Sequence, residues 1–221
     1  MVIYMAFLAV QSPQNLFWVY PLKTIAVAVV LWVFRKRYEE LRSPMICRAS
    51  APLADVSKPM TAPNTFGALQ CPITNWLLAI LVGLVAIAIW IGIDPFYLKF
   101  GRAEVLDPGA RWGFIGFRVA GAVLVVPLME ELFWRAFLIR WLVNEDFKRV
   151  PVGTFTWPSF AITVALFGAE HQEWLAGLIC GAMYNWLFYK RKDVFSCVVA
   201  HAVSNAALAG WVLARGDWKF W

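Results

Sequence analysis

Histidine is nearly absent from this chain: there are two in 221 residues, His171 and His201. Charge is sparse too. Acidic and basic residues make up 15%, where a soluble domain carries about 25%. No two cysteines form a CxxC pair. Cys47, Cys71, Cys180 and Cys197 stand apart, and they leave the redox compartment open. No HExxH segment occurs, which argues against a helix that supplies two zinc-binding histidines one turn apart. No basic patch joins a nucleic-acid motif, so the net charge of +6 does not imply a nucleic-acid partner. No internal repeat is visible. A cleavable leader is not expected either: residues 1–10 are apolar but lack a basic start, and Gln11-Ser12-Pro13 arrives too early for a span.

What is abundant is apolar. Hydrophobic residues reach 61%, the mean hydropathy is +0.63, and the apolar residues lie in long runs. These features predict an all-α, polytopic membrane helix bundle forming a single domain over 1–221. Spans are expected near 17–34, 74–93, 113–143, 158–171, 173–189 and 194–214. Residues 43–73 are polar and rich in proline, and read as a flexible loop. The third run would be about 45 Å long as one helix, against a hydrocarbon core of ~30 Å. Pro127 should bend it just before Glu130. With Arg35-Lys36-Arg37 in the cytoplasm, six spans place Lys148-Arg149 and Lys190-Arg191-Lys192 there too, and the C-terminus outside. The 13 tryptophans fit interfacial belts, with Trp112, Trp157, Trp211, Trp218 and Trp221 at span ends. Gly177-x-x-x-Gly181 and the small residues Ala202, Ala206 and Gly210 predict close helix contacts. Asp193 is placed to cap the last span.

Both histidines fall in these apolar runs, and so do Glu130, Glu131 and Arg135. Ionisable groups in hydrocarbon are costly and mark a site by default. Glu131 and Arg135 stand four apart with the acid first, the favourable order for an intrahelical pair. Glu130 is turned about 100° from Glu131 and is left to face a cavity. Phe167 and His171 are also four apart, as are His201 and Asn205. Counted at ~1.5 Å per residue from the cytoplasmic span ends, Glu130 lies about 18 Å deep, His171 about 20 Å, His201 about 11 Å and Asn205 about 17 Å. Three segments thus deliver a carboxylate, two imidazoles and an amide to the middle of the membrane.

Glu-Glu-x-x-x-Arg (Glu130, Glu131, Arg135), Phe-x-x-x-His (Phe167, His171) and His-x-x-x-Asn (His201, Asn205), in that order, resemble the motif set of the CAAX protease and bacteriocin-processing family of intramembrane proteases, often called CPBP or Abi. The resemblance covers residues 127–207. A looser similarity over 21–40 and 74–221 looks like the CAAX-protease-related proteins of bacterial exosortase systems, and this implies a multi-pass protein of the bacterial cytoplasmic membrane. The resemblance implies a catalytic core within 113–214 and an endopeptidase acting on a membrane-associated protein or peptide in the lipid bilayer. It implies that Glu130 and His171 activate a water, that His201 and Asn205 bind the oxyanion, and that Glu131, Arg135 and Phe167 support the site. It leaves two options for cofactors: none, or a zinc ion held by Glu130, His171 and His201, a donor set that would keep a position open for water.

Plainer readings stand beside these. Glu131–Arg135 can be purely structural, His171 a turn residue, and His201–Asn205 an interhelical hydrogen-bonding pair. Glu170 and Glu173 read as helix-end acids. Arg118 reads as a snorkelling cation or the partner of an acid, with no role assigned. The rival functions are a non-hydrolytic binding or immunity factor and a transporter. A transporter should show broken spans in corresponding halves, whereas one Pro-broken span is present.

Overall fold

The computed structural model describes residues 1–12, 15–42, 72–100 and 111–220. These form an all-helical bundle with no strand among them: α1 (Val2–Val10), α2 (Leu16–Val33), α3 (Pro72–Ile93), α4 (Trp112–Trp141), α5 (Trp157–Ala169), α6 (Trp174–Arg191) and α7 (Phe195–Arg215). Four are long and apolar enough to cross a membrane: α2, α3 with its extension to Phe96, α4 and α7. The α5 helix has 13 residues and α6 has 18. They pack on one another as a hairpin, so the six apolar stretches expected from sequence are all helical. The expected loop 43–73 lies outside the described residues up to residue 71, and α3 begins at Pro72.

Apolar side chains face both ways, as a bilayer solvent allows. Trp18, Trp32, Leu77, Leu124, Trp112 and Trp157 are exposed. Inward, α3, α4, α5, α6 and α7 share one core containing Ala79, Trp134, Ile139, Phe167, Tyr184, Phe188 and Cys197. Cys180 and Cys197 are buried and unbridged. The short α1 was not expected to span. It lies on α2 and covers Lys23, a cation within that apolar helix. Lys23 is buried, donates to Gln11 Oε1 at 3.2 Å and lies over the Tyr4 and Tyr20 rings. Cation–π contact and one hydrogen bond replace its hydration.

The long α4 does not break at Pro127. It stays continuous by widening twice, over Gly121–Val125 and Leu132–Leu138. The Val126 N–H bonds the Gly121 carbonyl and the Ile139 N–H bonds the Trp134 carbonyl, each five residues back. Proline cannot donate to the α-helical ladder and crowds the preceding turn, and the wide segment just before it lets the helix run on without ending. Glu130 and Glu131 lie in the short α-helical stretch between the two wide segments.

Close helix approach occurs where glycine permits it. A Cβ on Gly177 would stand 3.0 Å from the Gly168 Cα, and one on Gly181 would stand 3.1 Å from the Phe167 ring. The α5–α6 contact expected from Gly177 and Gly181 is therefore present. The expectation for Ala202, Ala206 and Gly210 is corrected: Ala206 and Gly210 are exposed, and nothing lies near Gly210. The close approach of α7 is instead made on its other face, where Gly83 of α3 meets the Ala200 carbonyl and accepts a bond from Ser204 Oγ at 2.8 Å. Asp193 starts α7 as expected, accepting from the Ser196 N–H at 2.6 Å and the Ser196 hydroxyl at 2.8 Å.

Candidate active site

A cavity of about 270 Å³ lies between α3, α4, the α5–α6 turn and α7. Glu130, His171, His201 and Asn205 all line it, although they come from three separate segments. Phe167, Trp90, Tyr184 and Ser204 complete the wall around them.

Behind this wall is a charged clamp. Glu131 and Arg135 are 0% and 1% exposed. Arg135 Nη1 donates to Glu131 Oε1 at 3.1 Å. Its Nε lies 3.1 Å from Oε2, an ion contact rather than an aligned hydrogen bond. Arg135 also donates to the Gly181 carbonyl at 3.4 Å, with its guanidinium beside the Phe167 and Tyr184 rings. The intrahelical pair predicted from the four-residue spacing is thus formed. Sequence spacing did not show where it leads: Glu131 Oε1 also accepts from His201 Nδ1 at 2.9 Å, across 70 residues of chain. A carboxylate paired with arginine is an acceptor, so the Nδ1 facing it must carry the proton. Tyr184 stacks on the His201 ring, and its hydroxyl is 2.7 Å from Ser204 Oγ. Tautomer and ring plane of His201 are both fixed.

His171 is held differently. It lies two residues beyond the end of α5, rather than in a span. Its Nδ1 is 2.7 Å from the Phe167 carbonyl. A carbonyl only accepts, so Nδ1 is again the protonated nitrogen, and in the neutral ring Nε2 keeps its lone pair. Trp90 meets the ring edge-on at 5.3 Å. The Phe-x-x-x-His spacing therefore has a local cause: the backbone of Phe167 orients His171, while its ring packs on Trp134 and beside Arg135. Phe167 serves packing and positioning together.

Asn205 Nδ2 donates to the Ala122 carbonyl at 2.7 Å, in the first wide segment of α4. That contact fixes the amide and ties α7 to α4. Glu130 is 4% exposed, and among the described residues its Oε2 has no hydrogen-bond partner. That oxygen is left to accept from a group that enters the cavity.

The zinc arrangement fits less well. Glu130, His171 and His201 share the cavity, yet among the described residues no three His, Cys, Asp or Glu side chains converge as a set able to hold a metal ion. Of the residues outside the motifs, Tyr184, Ser204 and Trp90 were not singled out by sequence. Aromatic and hydroxyl residues in an apolar helix carry no signal of their own until a histidine is placed beside them.

Residues 112–207 match the family model described as type II CAAX prenyl endopeptidase, Rce1-like. No curated protein and no solved structure matches the chain. The matched stretch holds the clamp, both histidines, Phe167, Glu130 and Asn205, and excludes 21–40, where the looser likeness began. Apolar helices of spanning length and this match together describe an integral membrane protein. Over residues 112–207, under half of its length, the chain is similar to the type II CAAX prenyl endopeptidases, and its ordered motifs lie within that stretch.

Proposed function

We propose that the chain is an intramembrane endopeptidase that hydrolyses a peptide bond of a membrane-associated protein or peptide. The observation that carries this reading is the unpartnered carboxylate oxygen of Glu130 in a cavity also lined by His171, His201 and Asn205.

Water held at Glu130 attacks the scissile carbonyl carbon and gives its proton to the Glu130 carboxylate or to His171 Nε2. The second of these is available because Nδ1 is committed to the Phe167 carbonyl. As the tetrahedral centre forms, its oxyanion needs donors. Asn205 has a second amide N–H beyond the one given to Ala122. The His201 ring, held by the Glu131 carboxylate at Nδ1, turns its Nε2 edge toward the same centre. The C–N bond then breaks, and the abstracted proton passes to the departing amine. Arg135 holds Glu131 in place. Exclusion of bulk water by Trp90, Phe167 and Tyr184 strengthens each of these interactions.

The test is proteolysis of membrane-anchored peptides by the purified protein. Glu130→Gln should abolish cleavage while leaving membrane yield and the unfolding temperature near those of the parent. Full activity in Glu130→Gln would remove the carboxylate from the mechanism. A binding or immunity factor would show no cleavage in the parent protein.

A further inference from the structure

Helices α2 and α4 run side by side in the same direction and then part. Phe17 meets Phe114 with ring centres 4.8 Å apart, and the Tyr20 hydroxyl donates to the Arg118 carbonyl at 3.2 Å. Thr24 lies against Gly121, where a Cβ would stand 2.8 Å from its Oγ1. Beyond Gly121 a groove of about 360 Å³ opens between the two helices. Val27, Val30 and Leu31 of α2 line one wall, and Leu132, Phe133 and Phe137 of α4 line the other. The last three belong to the second wide segment of α4. The groove shares no lining residue with the cavity that holds Glu130.

One end of the groove is basic. Tyr38 lines it, directly after Arg35, Lys36 and Arg37, and all three cations are exposed. The neighbouring acids do not balance them: Glu40 is paired with Arg140 at 2.7 Å, which leaves Glu39. The Arg35 guanidinium rests on the Trp32 ring at 4.3 Å and donates to the Trp32 carbonyl at 2.7 Å. Its five N–H groups allow a further acceptor beside that carbonyl.

The length fits one leaflet. Met129 and Phe137, both on the α4 wall, stand eight residues apart, about 12 Å along the helix. Half of a ~30 Å hydrocarbon core is about 15 Å. An apolar groove of that length, ending at cations, suits an acyl chain along its walls and an acidic headgroup at its mouth. A chain seated there gives the wall side chains contacts that an empty groove denies them.

We infer that this groove binds one anionic phospholipid, with an acyl chain between α2 and α4 and the phosphate on Arg35 and Arg37. The arginine fork can hold two phosphate oxygens at once. Such a site is independent of whether Glu130 hydrolyses a peptide.

Lipid retention is read by native mass spectrometry of the full chain in detergent. The probes are phosphatidylglycerol and phosphatidylcholine with the same acyl chains. One phosphatidylglycerol per chain should be retained, about tenfold more tightly than phosphatidylcholine, the contribution of a charge-assisted contact. The double variant Arg35→Gln, Arg37→Gln should lower phosphatidylglycerol to the level of phosphatidylcholine. Both arginines are exposed, so its unfolding temperature without lipid should match the parent. Val30→Phe, which narrows the groove, should weaken both lipids, and Leu31→Phe should act alike from the adjacent position. Equal retention of the two lipids would overturn the site, as would a preference that survives loss of both arginines. Undiminished binding in both groove-narrowing variants would also overturn it, because the lipid would then sit elsewhere. A dimer formed through this face with no lipid retained would assign the groove to a second copy of the chain instead.

Discussion

Removing the Glu131 carboxylate should cost the protein both its fold and its chemistry, and the two losses should be separable. Glu131 is fully buried and accepts from Arg135 and His201. In Glu131→Ala the Arg135 charge stays buried without its counterion, a loss of about 3–5 kcal/mol. The His201 Nδ1–H also loses its acceptor, adding about 1–3 kcal/mol that will not sum fully with the first. Taking about 4 kcal/mol in all, and roughly 2–4 °C per kcal/mol for a chain of this size, the unfolding temperature should fall by roughly 8–16 °C. The informative comparison is the double variant Glu131→Leu with Arg135→Met. Replacing a whole buried ion pair by apolar groups of similar volume is close to neutral, so this variant should regain at least half of the lost stability. Its proteolysis should stay absent, because His201 is no longer oriented. Thermal unfolding in detergent and cleavage of membrane peptides measure the two effects. A double variant no more stable than Glu131→Ala would refute the buried-charge reasoning, and one that cleaves normally would refute the orienting role of Glu131.

Gly177→Ala would place a methyl group 3.0 Å from the Gly168 Cα and 3.4 Å from His171. It should destabilise by about 1–3 kcal/mol and lower activity through displacement of His171, read by unfolding and turnover on the same sample. Chelators should leave proteolysis intact and active protein should lack stoichiometric zinc. About one zinc per chain, lost together with activity, would reverse that expectation. A reporter after Trp221 should lie outside the cytoplasm and one in the Lys190–Lys192 loop inside; both on one side would end the six-span topology.

The helices were legible because apolar runs and basic stops are one-dimensional signals. Arg35-Lys36-Arg37 and Lys190-Arg191-Lys192 mark the ends of α2 and α6 within a few residues. The Glu131–Arg135 clamp was legible because four-residue spacing on a helix is itself a contact. The His201–Glu131 bond was not, since it depends on how α7 crosses α4. The wide turns of α4 were also hidden: proline announces a disturbance, but whether the chain kinks or widens depends on what packs around it. Gly121 shows why, since a Cβ there would meet Thr24 Oγ1 at 2.8 Å and the Tyr20 hydroxyl at 3.0 Å. The glycine contacts on α7 were misread because small residues occupy one face and the close approach uses another.

The two wide turns also govern how this stretch tolerates length changes in evolution. A substitution on α4 alters one side chain, but a one-residue deletion in Gly121–Val125 would let that segment close into ordinary helix. A π turn makes one revolution with about one residue more than an α turn, so the residues beyond the deletion would keep nearly their orientation relative to those before. The same deletion in the ordinary helix Val126–Glu131 would instead turn everything beyond it by about 100°, carrying Arg135 away from Gly181 on α6. The wide turns are therefore where α4 can lose a residue without turning its site away, and length changes among homologues should fall there.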